Sequence, residues 1–274
     1  MPELPEVEII RRMIAGKVEK RTIRDIEILL PRLIKWPSAS EFLAVIRGKT
    51  INSLERCGKY LLFFLSEQRV LVIHLRMTGR LYYVSETMRP DSYVRIVFHL
   101  DNGDRLFYSD TRTLGTLYLL PESELSRIAG IANMGPEPLT PEFNEAYLQD
   151  IFKTRTGKIK SILLDQKLIG GLGNIYADEA LALAGIRPER KAETLSSREI
   201  TALYLAINKV IEAGINDGGT SFRDYLDGEG RKGKHQEHLY VYGRKDEPCK
   251  NCGTPIVKIN VGGRGTHFCP SCQK

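Results

Sequence analysis

The 274 residues include 40 Lys and Arg against 34 Asp and Glu, a net charge of +6, with 42% apolar residues, which excludes a disordered or fibrous chain and leaves room for one large domain or two to three smaller ones. No run of about 18 apolar residues occurs, and the N-terminus is acidic where a signal peptide would be basic and then apolar, so a cytoplasmic protein without membrane spans is expected. A pI near 9.0 is only weak evidence for a polyanionic partner, and the placement of the charge matters more than its sum.

The chain opens Met1-Pro2-Glu3-Leu4-Pro5-Glu6-Val7-Glu8. Pro5 suits a first helical turn, Glu6 and Glu8 suit its positive end, and Val7, Ile10 and Ile14 recur on one face, so a helix is predicted here. If Met1 is trimmed, Pro2 becomes a terminal secondary amine, with a pKa of roughly 7.7 to 8.0 before any shift by the helix dipole. Such an amine is partly neutral and nucleophilic near pH 7, and the adjacent Glu3 can carry a proton to or from whatever it attacks. On these residues alone, a capped surface helix with an acidic start is the favoured reading.

Residues 20 to 120 are dominated by short apolar or alternating runs, at 23–30, 60–65, 70–75, 81–84, 93–100, 105–108 and 116–120. Turn signals separate them, among them Cys57-Gly58-Lys59, Thr78-Gly79 and Asp101-Asn102-Gly103-Asp104. Strands that follow one another without long helices predict an antiparallel sandwich or barrel. Three of its loops carry a cation or an apolar tip: Gly58-Lys59, His74-Leu75-Arg76-Met77-Thr78-Gly79-Arg80, and Asp110-Thr111-Arg112-Thr113-Leu114-Gly115. Singly, His74 reads as structural and Met77 as core; together, basic loops with apolar tips suit the prying open of a duplex.

The Pro-rich stretch 135–143 reads as a stiff linker into a helical region, with helices predicted at 142–153, 158–165, 175–184 and 197–213. Between two of these, Gly170-Gly171-Leu172-Gly173-Asn174 feeds a helix N-terminus, an arrangement that suits either an anion site or a plain helix hairpin. Asp217 to Lys234 lacks periodicity and reads as a mobile loop. The last module holds Cys249-x-x-Cys252 and, after sixteen residues, Cys269-x-x-Cys272, the spacing of a four-thiolate zinc site. A module this small needs such a staple, and disulfides do not suit the expected compartment. Cys57 is left over and reads as a small buried residue. Between the knuckles a β-hairpin is predicted, with Gly262-Gly263-Arg264-Gly265 presenting one Arg suited to phosphate.

These residues carry a resemblance to the bacterial formamidopyrimidine-DNA glycosylases, which remove 8-oxoguanine. The resemblance runs from Pro2 to the last Cys through PELPEVE, Gly58-Lys59, HLRMTG, the Arg112 loop, GLGNIYADEAL, the stretch 239–244 and GRGTHFCPSC. It implies an α+β chain of three domains: an N-terminal antiparallel β-sandwich at 1–134, a helix-two-turns-helix domain at 135–236 and a β-hairpin zinc finger at 237–274. Duplex DNA carrying damage would be the partner of a monomer, and one structural zinc would sit on Cys249, Cys252, Cys269 and Cys272. The resemblance implies Pro2 as the nucleophile, Glu3 in acid–base work, Lys59 in the elimination and Arg264 on phosphate during strand cleavage. It implies DNA contacts at His74, Met77, Arg112, Leu114, Arg155, Lys160, Asn174 and Tyr242.

Departures from the family pattern stand at Leu114, where Phe is usual, at Asp91-Ser92-Tyr93-Val94, where His-x-His-Val is common, and at 231–236, which lacks an aromatic near His235. Two other readings remain open: an endonuclease VIII-like glycosylase for oxidised pyrimidines, disfavoured by Leu4, and a damage-binding protein without catalysis. A third, a tautomerase with an N-terminal proline, leaves the zinc knuckles unexplained.

Overall fold

The computed structural model describes residues 1–221, 231 and 233–274. The chain divides into two compact units, Met1–Ala132 with Asp217–Lys234, and Asn133–Asn216 with His235–Lys274.

In the first unit, helix α1 (Leu4–Val18) is followed by β1 (Ile23–Ile28), β2 (Ile34–Trp36), α2 (Ala39–Ile46), β3 (Ile51–Cys57), β4 (Tyr60–Leu65), β5 (Arg69–His74), β6 (Gly79–Val84), β7 (Val94–Leu100), β8 (Arg105–Asp110), β9 (Thr116–Pro121) and the short α3 (Ala129–Ala132). The strands form two sheets, ordered β1-β7-β8-β6 and β2-β9-β5-β4-β3, whose facing apolar side chains share one core. This is the expected sandwich with one exception, since β2 runs parallel to β9 at the edge of the second sheet. The strands β2 and β3 and the short helix α2 were not among the elements expected from the sequence. A capping box opens α2, in which the Ser38 hydroxyl and amide both donate to Glu41, at 2.6 and 3.1 Å.

Helix α1 touches β3, β4 and β6, and so both sheets. Its Val7, Ile10, Ile14 and Val18 have no exposed surface, and burial of each side chain contributes roughly 1.5 to 3 kcal/mol. The helix is thus fixed in the core along its length, and its N-terminal turn is held in a set place.

The second unit contains α4 (Glu145–Thr154), α5 (Ile159–Leu163), α6 (Asn174–Ala184), α7 (Ser197–Asn216), β10 (Val257–Val261) and β11 (Arg264–Phe268). α7 packs on α4 and α6, and α6 in turn packs on α5 and β11. Helix α6 ends at Gly185, whose φ of 71° is a left-handed cap that a side chain would strain. The hairpin turns at Gly262 and Gly263, both at positive φ, so Arg264 is the first residue of β11 opposite Val261 and not the tip itself. A Cβ on Gly262 would stand 2.5 Å from the Ser161 hydroxyl, so the turn lies close against the start of α5.

The aperiodic segment from Asp217 has tied ends. Lys234 N–H donates to Asp217 C=O at 2.9 Å, Gly233 N–H donates to the Ser221 hydroxyl at 3.0 Å, and a Cβ on Gly233 would meet the Gly219 carbonyl at 2.1 Å. The mobility expected of its middle concerns residues 222–230 and 232, which lie outside the described residues.

Candidate active site

The N-terminal constellation lies in the first unit. Pro2 is buried, and its nitrogen carries Met1, so a free secondary amine requires removal of that residue. Glu3, at 2% exposure, is the N-cap of α1. Its amide donates to Glu6 Oε2 at 2.8 Å, while Glu6 Oε1 accepts the Thr220 amide at 2.9 Å. A single buried carboxylate therefore holds both the first turn of α1 and the near end of the 217–234 segment. Glu8 is ringed by Arg11, Arg12 and Arg56 at 2.8, 2.7 and 3.2 Å. Burial opposes its charge, but hydrogen bonds from Arg11 and Arg12 prevail and hold its pKa down to about 2. Arg56 also donates to the Gly58 carbonyl at 3.0 Å, so a chain Glu8–Arg56–Gly58 runs from α1 to the turn that carries the buried Lys59. Gly58 has φ of 57°, which allows that turn.

Two loops of the same unit carry the apolar tips. Met77 and Leu114 are 37% and 49% exposed, large values for such side chains, and Arg112 is exposed between them in sequence. His74, expected to contact DNA, is 6% exposed. Its ring meets Tyr60 edge-on at 4.5 Å, and its Nδ1 accepts the Arg76 amide at 3.0 Å, which requires a neutral imidazole. Burial first, then the charges of Arg76 and Lys59, push its pKa down to about 3. His74 thus holds the backbone just before Met77 through the Arg76 amide.

In the second unit, the positions expected to contact phosphate fall into two groups. Arg264 is exposed, and so is Arg155 just beyond the end of α4. Lys160, also expected at phosphate, has no exposed surface. Its ammonium lies 2.6 Å from Asp178, equally buried, and donates to the Thr266 hydroxyl at 2.7 Å and the Gly265 carbonyl at 3.3 Å. Asn174 Nδ2 donates to the same Gly265 carbonyl at 3.1 Å, and Asp178 accepts the His267 amide at 2.8 Å. α5 and α6 therefore clamp β11 immediately beside Arg264. Tyr242 is half-buried with its ring edge-on to His267 at 5.1 Å. The amides of Tyr240, Val241 and Tyr242 all converge on the buried Glu179 at 2.6 to 2.9 Å. Burial pushes the Glu179 carboxyl upward, and the three amides pull it back. Asp178 and Glu179 stand inside the GLGNIYADEAL motif, yet only their contacts disclose their roles.

The four knuckle cysteines meet as expected. Their sulfurs all lie within 4.8 Å of one another, with Cys249 and Cys272 at 3.9 Å and Cys252 and Cys269 at 3.5 Å. A tetrahedron with Zn–S of about 2.3 Å has sulfurs about 3.8 Å apart, so the donor set fits zinc in both size and softness. The Asn251 and Cys272 amides point at the Cys249 and Cys269 sulfurs at 3.5 and 3.4 Å, which favours thiolates. One structural zinc belongs here. Fully ligated by protein, it has no open position for a substrate.

Family models match three successive segments: the formamidopyrimidine-DNA glycosylase N-terminal domain over residues 1–117, the formamidopyrimidine-DNA glycosylase H2TH domain over 134–225, and a zinc finger found in FPG and IleRS over 246–274. The formamidopyrimidine-DNA glycosylase of Pelotomaculum thermopropionicum is 47% identical over 274 residues, covering all of this chain and 99% of that protein. That of Bacillus subtilis is 46% identical with the same coverage. Among solved structures, wild-type Lactococcus lactis Fpg (MutM) with N7-benzyl-Fapy-dG DNA superposes with a TM-score of 0.93 at 37% identity, covering all of both chains. The same L. lactis enzyme with DNA containing an oxidized pyrimidine gives 0.92 at 36%, again over both chains in full. The chain belongs to the formamidopyrimidine-DNA glycosylase family.

Proposed function

We propose that this chain is a base-excision-repair enzyme, a DNA glycosylase and abasic-site lyase that removes oxidised purines, 8-oxoguanine and formamidopyrimidines, from duplex DNA. The observation that carries this reading is the Pro2-Glu3 pair, buried at the head of a core-anchored helix, in a chain matched along its whole length by enzymes of that name. Once Met1 is removed, the Pro2 nitrogen forms a bond to C1′ of the extruded nucleotide as the glycosidic bond breaks and the base leaves with a proton. Glu3 carries the proton that opens the sugar to an iminium linked to Pro2. Loss of a C2′ proton then expels the 3′ phosphate and a second elimination the 5′ phosphate, so the strand is cut on both sides. Lys59 serves the elimination, and Arg264 holds phosphate.

Met77, Arg112 and Leu114 fill the gap left by the flipped base. Arg155, Asn174 and Tyr242 contribute at the DNA backbone, while Lys160 acts by holding the hairpin of Arg264. The domains run 1–134, 135–236 and 237–274, the last organised by zinc. The enzyme works as a monomer on the nucleoid in the cytoplasm; among the described residues no helix is long and apolar enough to cross a membrane. Oxidised pyrimidines are a second substrate class for the same site, favoured by the L. lactis complex with such DNA.

Incubation with a duplex carrying 8-oxoguanine opposite cytosine, with borohydride present, tests the reading. Reduction of the iminium leaves a covalent complex visible on a denaturing gel. Pro2→Gly is expected to trap poorly and protein that retains Met1 not at all; undiminished trapping with Met1 in place would remove Pro2 from the chemistry.

A further inference from the structure

The loops that present Met77 and Leu114 join β5 to β6 and β8 to β9, each crossing from one sheet to the other, and they share one buried carboxylate. Asp110, the last residue of β8, has no exposed surface. Its Oδ1 accepts the Thr78 hydroxyl at 2.5 Å and the Arg112 amide at 3.2 Å, while Oδ2 accepts the Gly115 amide at 2.9 Å and the Tyr108 hydroxyl at 3.3 Å. Thr78 completes the link, because its oxygen also accepts the Arg112 amide at 3.0 Å. The donors thus come from the residue after Met77 and from both sides of Leu114.

Steric fit binds the two loops to the same point. A Cβ on Gly79 would stand 2.3 Å from the Leu75 carbonyl and 2.7 Å from the Tyr108 hydroxyl; one on Gly115 would stand 1.6 Å from that hydroxyl. Both backbones are therefore pressed against the Tyr108–Asp110 pair with no space to spare. Outside the pair, Arg95 donates to the Asp110 carbonyl at 3.1 Å and Arg32 donates to the Thr113 hydroxyl. Arg76 and Thr113, one in each loop, sit in the left-handed region at φ of 55° and 52°, which non-glycine residues hold only where the surroundings fix them.

We propose that Asp110, acting through Thr78, couples the Met77 loop to the Arg112–Leu114 loop, so that the three side chains enter the duplex as one preset piece during base extrusion. Asp110 is a positioning residue that touches neither substrate nor reacting atoms. The physical ground is entropic: a gap left by one extruded base has a fixed shape, and three groups on independently moving loops would each have to be ordered on binding. A buried carboxylate with four donors orders them beforehand. This inference rests on the assignment of Met77, Arg112 and Leu114 to the gap.

The test compares the full-length, zinc-loaded protein with Asp110→Asn and Thr78→Val. Asn keeps the volume but turns an NH2 group toward one pair of donors; Val keeps the shape of Thr and removes the bridge. Two substrates are used under single-turnover conditions: a duplex with 8-oxoguanine opposite cytosine, which must be opened, and a single-stranded oligonucleotide with an abasic site, which has no base to extrude. Both variants are expected to slow excision from the duplex by roughly tenfold to a hundredfold, the range typical of coupled side chains, while cleavage of the single strand stays within about twofold. The double variant is expected to be no slower than the slower single one, because both changes break one link. Equal loss on both substrates would reduce Asp110 to a general support of the sandwich and overturn the proposal, as would no loss on either. If Asp110→Asn does not fold, Thr78→Val alone decides the matter on the same two substrates. Met77→Ala and Leu114→Ala run alongside separate the two ideas. If these leave duplex excision intact, the gap assignment fails; if they slow it and Asp110→Asn and Thr78→Val do not, the coupling fails.

Discussion

The two units handle buried charge in opposite ways. In the sandwich unit, the interior groups Asp110 and His74 fix the backbone of loops whose Met77, Arg112 and Leu114 stay exposed, although Glu3 and Lys59 are buried there too. In the helical unit the motif residues Lys160 and Asn174 are themselves drawn in, and the exposed Arg264 depends on them. A basic residue in a DNA-binding motif is therefore no guide to which cation meets phosphate. Its partners bear on that, and Lys160 has Asp178 at 2.6 Å and no exposed surface.

The strongest way to break the contrast is to remove zinc. The hairpin that carries Arg264 lies between the two knuckles, and a module of this size has little core without the metal. Chelation, or Cys249→Ser, is expected to abolish duplex binding and strand cleavage together while the sandwich keeps its cooperative melting. Metal analysis alongside activity checks this, and full activity in protein free of zinc would refute it.

Next in size is Lys160. Removing one member of a buried pair leaves the other uncompensated, which costs about 3 to 5 kcal/mol, so Lys160→Met is expected to lower stability by that order in urea denaturation. Adding Asp178→Asn is expected to recover much of it, since Asn still accepts the His267 amide. The double variant also tests the interior placement of Lys160. A direct phosphate contact would reduce the slope of log affinity against log salt by about 1, and the interior role predicts an unchanged slope.

His74 gives a smaller effect with a defined sign. Its pKa is 6.5 when exposed and about 3 in the fold, so between these values the unfolded chain holds a proton that the folded one refuses. The stability it contributes is complete above pH 6.5 and is lost as pH falls, by up to about 1.4 kcal/mol per pH unit. Glu8, held at about 2 against 4.5, adds its own loss only below pH 4.5. Between pH 6.5 and 4.5 the slope is therefore expected to flatten in His74→Asn, which keeps an acceptor for the Arg76 amide. Parallel denaturation curves for the two proteins across that window would remove His74 from the account.

Much of this was legible in the sequence, for reasons that differ by element. Strands such as 60–65 and 116–120 announce themselves by apolar runs between turn residues, and four thiols with knuckle spacing have few alternatives. The capping box at Ser38 and Glu41 was also in plain view, but its helix is short and easily passed over between strands. The parallel pairing of β2 with β9 has no local signature, because its partner lies far along the chain. The interior place of Lys160 was illegible for the same reason, whereas His74 taken singly had already read as structural. Asp178 and Thr266 reach Lys160 only through folding, and nothing about a Lys by itself says whether its partner is protein or phosphate.

Leu114 offers the smallest effect and the finest test of the exposed side of the contrast. It is 49% exposed on a loop held at Asp110 and Gly115, so the backbone beneath it is set and only the side chain is open to choice. Family members usually have Phe here, and stacking of an aromatic ring on a base is worth roughly 1 to 3 kcal/mol. Leucine can still wedge base pairs apart as an apolar side chain, but it has no flat face with which to replace a lost stacking partner. A duplex kinked by this enzyme should therefore lean more on Met77 and Arg112 than in relatives with Phe. Leu114→Phe is expected to tighten binding to a lesion-bearing duplex by about tenfold, corresponding to the lower half of that stacking range, and to slow sliding on undamaged DNA. Iminium trapping at Pro2 should be unchanged, because the wedge acts before the chemistry. Affinity for the lesion duplex and single-molecule sliding decide it: if neither moves, the side chain at 114 does not enter the stack, and the gap is filled by Met77 and Arg112 alone.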